Sequence, residues 1–112
     1  TSTASARHGG GTDTLAYGVA KAGIECVTRG LARTGARKGV LVNAIAPGFI
    51  KTGFHERVLG RSTKELVRRE EMIPLGRSGL PHEVAGTIDF LLSDASSFIT
   101  GEIITVSGGD WL

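Results

Sequence analysis

Cys26 is the only cysteine, so the chain can close no internal disulfide and assemble no cysteine-based zinc cluster. A lone cysteine inside an apolar helical pattern reads as a small hydrophobe, and a reducing compartment is the expectation. Aromatic residues make up only 5% of the chain, and its thirteen Lys and Arg are scattered, with Arg37-Lys38 and Arg68-Arg69 the only adjacent pairs. A nucleic-acid face needs clustered charge and aromatic platforms, so the net charge of +2 does not point to nucleic acid. No apolar run approaches the roughly 18 residues of a membrane span, and no charged-then-apolar leader opens the chain. A cytoplasmic protein with no membrane partner is therefore expected. The histidines, His8, His55 and His82, have no second ligand at helical spacing, so no metal site is expected either.

What the chain does have is glycine, seventeen in 112 residues, against 40% hydrophobic and 21% charged residues. This is the composition of one small globular domain with short elements joined by tight turns. Asp13 can cap a helix running to about Arg37, with Ala16, Ala20, Gly23, Val27 and Leu31 recurring at three- and four-residue steps. Gly39 suits its end, and the nearly continuous apolar run Val40–Ala46 has the length of a strand buried on both faces. Pro47-Gly48 stops that run. Residues 49–61 show weak periodicity. Ser62 and Glu65 form a capping box that opens a charged helix to about Met72. Pro81 opens another helix, with Val84, Ile88, Leu91 and Leu92 as its apolar stripe, and residues 102–106 read as a last strand. Two strands joined by a helical crossover should lie parallel, which makes the fold α/β.

Tyr17 and Lys21 stand four residues apart on the first helix, which places phenol and ammonium on one face. A phenol alone exchanges protons poorly at neutral pH, and a neighbouring cation in a partly desolvated pocket favours its ionised form. The spacing alone more often marks an exposed helical pair. The surroundings add to it in order: a Ser/Thr-rich segment and glycine-rich loop, Tyr17-Gly18-Val19-Ala20-Lys21-Ala22-Gly23, then Val42-Asn43-Ala44-Ile45-Ala46-Pro47-Gly48-Phe49-Ile50-Lys51-Thr52. Ile73-Pro74-Leu75-Gly76-Arg77 and residues 98–109 complete the series. In these motifs the chain resembles the carboxy-terminal half of the short-chain dehydrogenase/reductase family, including members like the 3-oxoacyl-carrier-protein reductases.

The resemblance implies the carboxy-terminal part of a Rossmann-type doubly wound parallel sheet. It also implies hydride transfer between NAD or NADP and a small carbonyl or alcohol substrate. Tyr17 would exchange the proton with the substrate oxygen, and Lys21 would favour the phenolate and bind the nicotinamide ribose. The family's serine, which polarises the substrate oxygen, falls by spacing on Ala4 or Thr3. Ser2 is favoured on the assumption of a slightly longer loop, with Thr3 and Ser5 as alternatives. Pro47, Gly48, Ile50 and Thr52 would contact the cofactor, together with Tyr17 and Lys21. Residues 53–75 correspond to the variable substrate-covering segment, where Phe54, His55, Val58, Leu59 and Met72 are candidate pocket walls.

Nothing in the chain resembles the family's glycine-rich nucleotide loop, because the glycine triplet 9–11 lacks the strand-then-helix setting of a dinucleotide fingerprint. Residues 1–112 therefore read as a partial domain without the amino-terminal nucleotide-binding half. The alternative is a catalytically incomplete half-domain that only binds or oligomerises. The resemblance also implies a homo-oligomer, associating through residues 14–37, 81–92 and 102–106.

Overall fold

The computed structural model describes residues 1–3, 6–7 and 13–110. Ser5, the second alternative hydroxyl, lies outside them, as do His8 and the glycine triplet 9–11. Helix α1 spans Leu15–Gly35 and tightens into a 3-10 turn, Ala36–Lys38. It ends as expected at Gly39, whose φ of 72° lets its N–H reach Ala36 O at 3.0 Å. The start differs from the expectation. The N-cap is Thr14 rather than Asp13, and its backbone is not in the extended conformation that aims a cap side chain at the first turn, so no side-chain cap bond forms.

Strand β1 is Ala44–Pro47 and β2 is Ile103–Val106, paired in parallel with Ala44 opposite Ile103 and Pro47 opposite Val106. The fold is thus α/β with a parallel pair, as the crossover requires. Strand β1 starts four residues later than its apolar run suggests. Val42 and Asn43 are held by single bonds instead of a ladder: Val42 N to Thr100 Oγ1 at 3.1 Å, Gly101 N to Val42 O at 2.8 Å, and Asn43 Nδ2 to Ile99 O at 2.9 Å. Val40 and Leu41 are exposed. Small side chains let the two strands approach the crossover elements, and Ala44, Ala46 and Ile103 form the buried cluster.

Between the strands lie α2 (Phe54–Arg57), α3 (Thr63–Glu71) and α4 (Pro81–Leu91). The capping box of α3 is present, with Ser62 N donating to Glu65 Oε2 at 2.8 Å and Glu65 N to Ser62 Oγ at 3.4 Å. Helix α4 begins at Pro81 as expected. Its N-terminus is held by Glu83, which accepts from Leu80 N at 2.7 Å and takes both Arg77 guanidinium nitrogens at 2.8 and 2.7 Å.

The Arg77 fork is the first cause that holds the Glu83 carboxyl down to about 2 from an ordinary 4.5, followed by the Leu80 N–H. A carboxylate depressed by folding contributes stability above its unfolded pKa and loses it as pH falls through the folded one. Glu83→Gln should therefore flatten the acid limb of stability between pH 4.5 and about 2. Circular dichroism followed through acid titration measures this, and an unchanged acid limb would show that the staple contributes nothing.

Helix α1 turns its less apolar face inward. Gly18, Glu25, Thr28 and Ala32 are buried, whereas the stripe Ala16, Ala20, Gly23, Val27 and Leu31 is exposed. A Cβ added at Gly23 or Gly30 would meet nothing within 4 Å. Helix α4 likewise leaves Ile88 and the adjoining Leu92 exposed, the latter at 82%.

Candidate functional site

Residues 1–3 run beside β1 on the edge away from β2, with Ser2 N donating to Ile45 O at 2.8 Å. They bring α1 and the carboxyl end of β1 together. Lys21 Nζ donates to Thr1 O at 3.3 Å and stands 5.5 Å from the centre of the Tyr17 ring, one turn back on the same face. Tyr17 is half exposed, and its hydroxyl makes no hydrogen bond among the described residues. The phenol and ammonium are thus adjacent on one face of α1.

Neighbouring residues in extended chain point to opposite sides, and this separates two of the candidate hydroxyls. Ser2 is 3% exposed, and its Oγ lies 3.1 Å from Lys21 O and 3.0 Å from Glu25 Oε1, so its one proton is engaged by the interior face of α1. Thr3 is half-buried, and its Oγ1 donates to Pro47 O at 3.4 Å. Ser2, favoured on the assumption of a longer loop, is thus turned into the helix packing, and its alternative Thr3 lies beside the Pro47-Gly48 turn.

The turn after β1 is shaped by close approach. Gly48 N continues the ladder to Val106 O at 3.0 Å, and a Cβ at Gly48 would fall 2.7 Å from Ser107 Cβ and 2.9 Å from its Cα. Only glycine fits there without moving backbone. Ile50 then forms a parallel bridge with Gly79, made by Lys51 N to Gly79 O at 2.8 Å and Gly79 N to Phe49 O at 2.9 Å. Because the flanking residues supply those bonds, the N–H and C=O of Ile50 face the other edge. Thr52 Oγ1 accepts from Phe54 N at 3.4 Å and opens α2. The Lys21 ammonium, the free backbone edge of Ile50 and the Thr52 hydroxyl are groups of the kinds that can hydrogen-bond a ribose or a carboxamide.

Helices α2 and α3 cover this region. His55 packs on Phe49 with ring centres 4.5 Å apart and meets the Phe54 ring edge-on at 5.6 Å. Burial first, and then the charges of Arg69 and Arg61, hold the His55 pKa below its ordinary 6.5. Arg69 lies over the Phe49 ring and pairs with the buried Asp110 at 2.5 Å, which ties α3 to the turn after β2. A cavity of about 550 Å³ lies between this cover and Thr14, the residue that caps the Tyr17 turn. Of the expected pocket walls, His55, Leu59 and Met72 line it, and Phe54 and Val58 do not. Arg61, Arg68 and Arg69 also line it and went unnoticed in the sequence as wall residues. Part of their signal was helical: Glu65, Arg68, Arg69 and Met72 recur at three- and four-residue steps along α3 and its C-cap, while Arg61 lies just before the Ser62 cap.

Among the described residues no helix is long and apolar enough to cross a membrane. A family model described as Enoyl-(Acyl carrier protein) reductase matches residues 1–110. The chain is 48% identical over 93 residues to a 3-oxoacyl-(acyl-carrier-protein) reductase of Aquifex aeolicus, covering 83% of this chain and 36% of that protein. It is 47% identical over 98 residues to an acetoacetyl-CoA reductase of Rhizobium meliloti, covering 85% of this chain and 39% of that one. Among solved structures, a short-chain dehydrogenase/reductase of Brucella melitensis superposes with a TM-score of 0.87 at 35% identity, over 99% of this chain and 43% of that one. The chain therefore spans about two fifths of the length of the relatives it matches.

Proposed function

We propose, because the chain belongs to the short-chain dehydrogenase/reductase family, that its residues serve hydride transfer between NAD(P)(H) and the carbonyl or alcohol carbon of a small substrate. The observation that carries this is the Tyr17–Lys21 pair, with the ammonium 5.5 Å from the ring centre. A bound nicotinamide would supply or accept the hydride. Tyr17 Oη would give its proton to the substrate oxygen as the carbonyl carbon gains hydride, and take it back in the reverse direction. Lys21 would favour the phenolate left behind and hold the nicotinamide ribose. Pro47, Gly48, Ile50 and Thr52 would receive the rest of that end of the cofactor.

The hydroxyl that polarises the substrate oxygen is assigned to Thr3 in preference to Ser2. Ser2 is buried against α1 through Lys21 O and Glu25, whereas Thr3 is half-buried beside the Pro47-Gly48 turn. An oxygen whose negative charge rises during hydride arrival gains from such a donor.

Residues 1–112 on this reading form the carboxy-terminal part of a larger doubly wound sheet. A cavity of about 370 Å³ lined by Thr1, Val42, Ala44, Ile45, Ile88 and Leu91 runs along the edge of β1 away from β2. Uncovered apolar surface of this kind, with the exposed stripe of α1, supports both further strands continuing the sheet beyond residues 1–3 and a homo-oligomer through α1 and α4. The test is a panel of ketones and aldehydes offered to the complete protein with NADH and with NADPH, following consumption of the reduced nicotinamide. Turnover of at least one carbonyl is expected, and none with either cofactor would overturn the reading.

A further inference from the structure

The cavity beneath α3 is rimmed by positive charge that the hydride-transfer chemistry does not use. Arg61, Arg68 and Arg69 line it, with Glu65 as the one carboxylate among its walls. Arg69 is paired with Asp110, and Arg61 with Glu65 at 3.1 Å. Arg68 has no ion-pair or ring partner among the described residues, so the rim keeps one uncompensated cation. Phe49, Leu59 and Met72 give the same cavity an apolar wall, and Thr14 places its far end one turn from Tyr17. His55 packs on Phe49 in the same wall, and burial first, then the charges of Arg69 and Arg61, against Glu56, hold its pKa below the ordinary value.

We propose that this cavity receives an anionic oxygen group of the carbonyl substrate, a carboxylate or a phosphate, held by Arg68 with Arg61 beside it, while Phe49, Leu59 and Met72 take the substrate's apolar body. The proposal rests on the hydride-transfer reading for the identity of the substrate, and it deepens that reading by naming a charge the substrate carries. A guanidinium matches both carboxylate and phosphate oxygens through paired N–H donors, which makes arginine the suited residue. Because Arg68 is exposed at the cavity rim and takes part in neither the Arg69–Asp110 tie nor the capping box, its replacement leaves both intact.

The experiment compares the complete protein with Arg68→Ala and Arg68→Lys on three ketones of similar apolar size: an uncharged 3-oxo ester, the free 3-oxo acid, and a 3-oxoacyl thioester of phosphopantetheine. Arg68→Ala should lower kcat/KM for an anionic ketone about tenfold to a hundredfold, chiefly through KM, and leave the uncharged ester unchanged. Arg68→Lys should restore part of the loss. A fall confined to the acid assigns a carboxylate, and one confined to the thioester assigns a phosphate. An equal fall for all three ketones, or none for either anion, would overturn the proposal. Should no ketone be turned over, the hydride-transfer reading fails separately, and calorimetric titration with inorganic phosphate and with malonate decides the anion site. Binding by the unaltered protein that Arg68→Ala weakens at least tenfold supports the site, and any other result overturns it.

Discussion

Tyr17→Phe in the complete protein is expected to lower turnover by about 10²–10⁴-fold while leaving cofactor affinity within about twofold. The change removes one oxygen and keeps the ring. That oxygen makes no hydrogen bond among the described residues, and the residue is half exposed in the first turn of α1. The fold therefore loses little, within the roughly 0.5 kcal/mol typical of surface substitutions. The ring also keeps its position 5.5 Å from Lys21 Nζ, so the ammonium stays where it is. What disappears is the proton exchanged with the substrate oxygen. Steady-state kinetics, with cofactor binding measured by fluorescence titration, separates the two quantities. Near-normal turnover in the variant would remove Tyr17 from the chemistry.

Lys21→Ala should damage rate and cofactor binding together. One ammonium is assigned to the phenolate and to the ribose, and each charge-assisted hydrogen bond of this type carries about 1.5–3 kcal/mol, or roughly ten- to a hundredfold. The expected result is a fall in kcat of that order with a comparable rise in the cofactor KM. Lys21→Met keeps the half-buried stem and separates packing from charge. A fall in kcat alone, with cofactor binding intact in both variants, would take the ribose role from Lys21. Restored activity in Lys21→Met would show that the stem, and not the ammonium, matters.

The helices were legible because their signals are local. Pro81 at the first position of α4 and the Ser62–Glu65 box of α3 act within one turn of chain, and both stand where the sequence places them. The Tyr17–Lys21 juxtaposition is local for the same reason. Strand β1 was overextended because hydrophobicity reports burial and not pairing. Val40 and Leu41 are apolar, yet among the described residues the ladder starts only at Ala44, where Glu102 O receives its N–H at 2.9 Å.

The apolar stripe of α1 had the opposite difficulty. Periodicity finds a face but does not say what covers it, and here the inward face carries Glu25 and Thr28 while Val27 and Leu31 point out. The hydroxyl was ambiguous because spacing through a loop counts residues, whereas the alternation of extended chain decides which side chain reaches the turn after β1. The arginine rim was hidden for a further reason. Charges repeating along α3 read as a solvated helix until Arg69 is seen to reach across to Asp110 and fix which face meets the cavity. That contact spans 41 residues of sequence and has no local trace.

Hydride transfer at the Tyr17–Lys21 end of α1 is tested most directly by isotope transfer. The complete protein is given a ketone that it turns over, with nicotinamide cofactor carrying deuterium at the reactive C4 position, and the alcohol is analysed by mass spectrometry and NMR. One deuterium is expected on the carbinol carbon, none from solvent at that carbon, and product formation reduced about 10²–10⁴-fold by Tyr17→Phe. An alcohol whose carbinol hydrogen comes from water, or full label transfer at an unchanged rate in Tyr17→Phe, would contradict it.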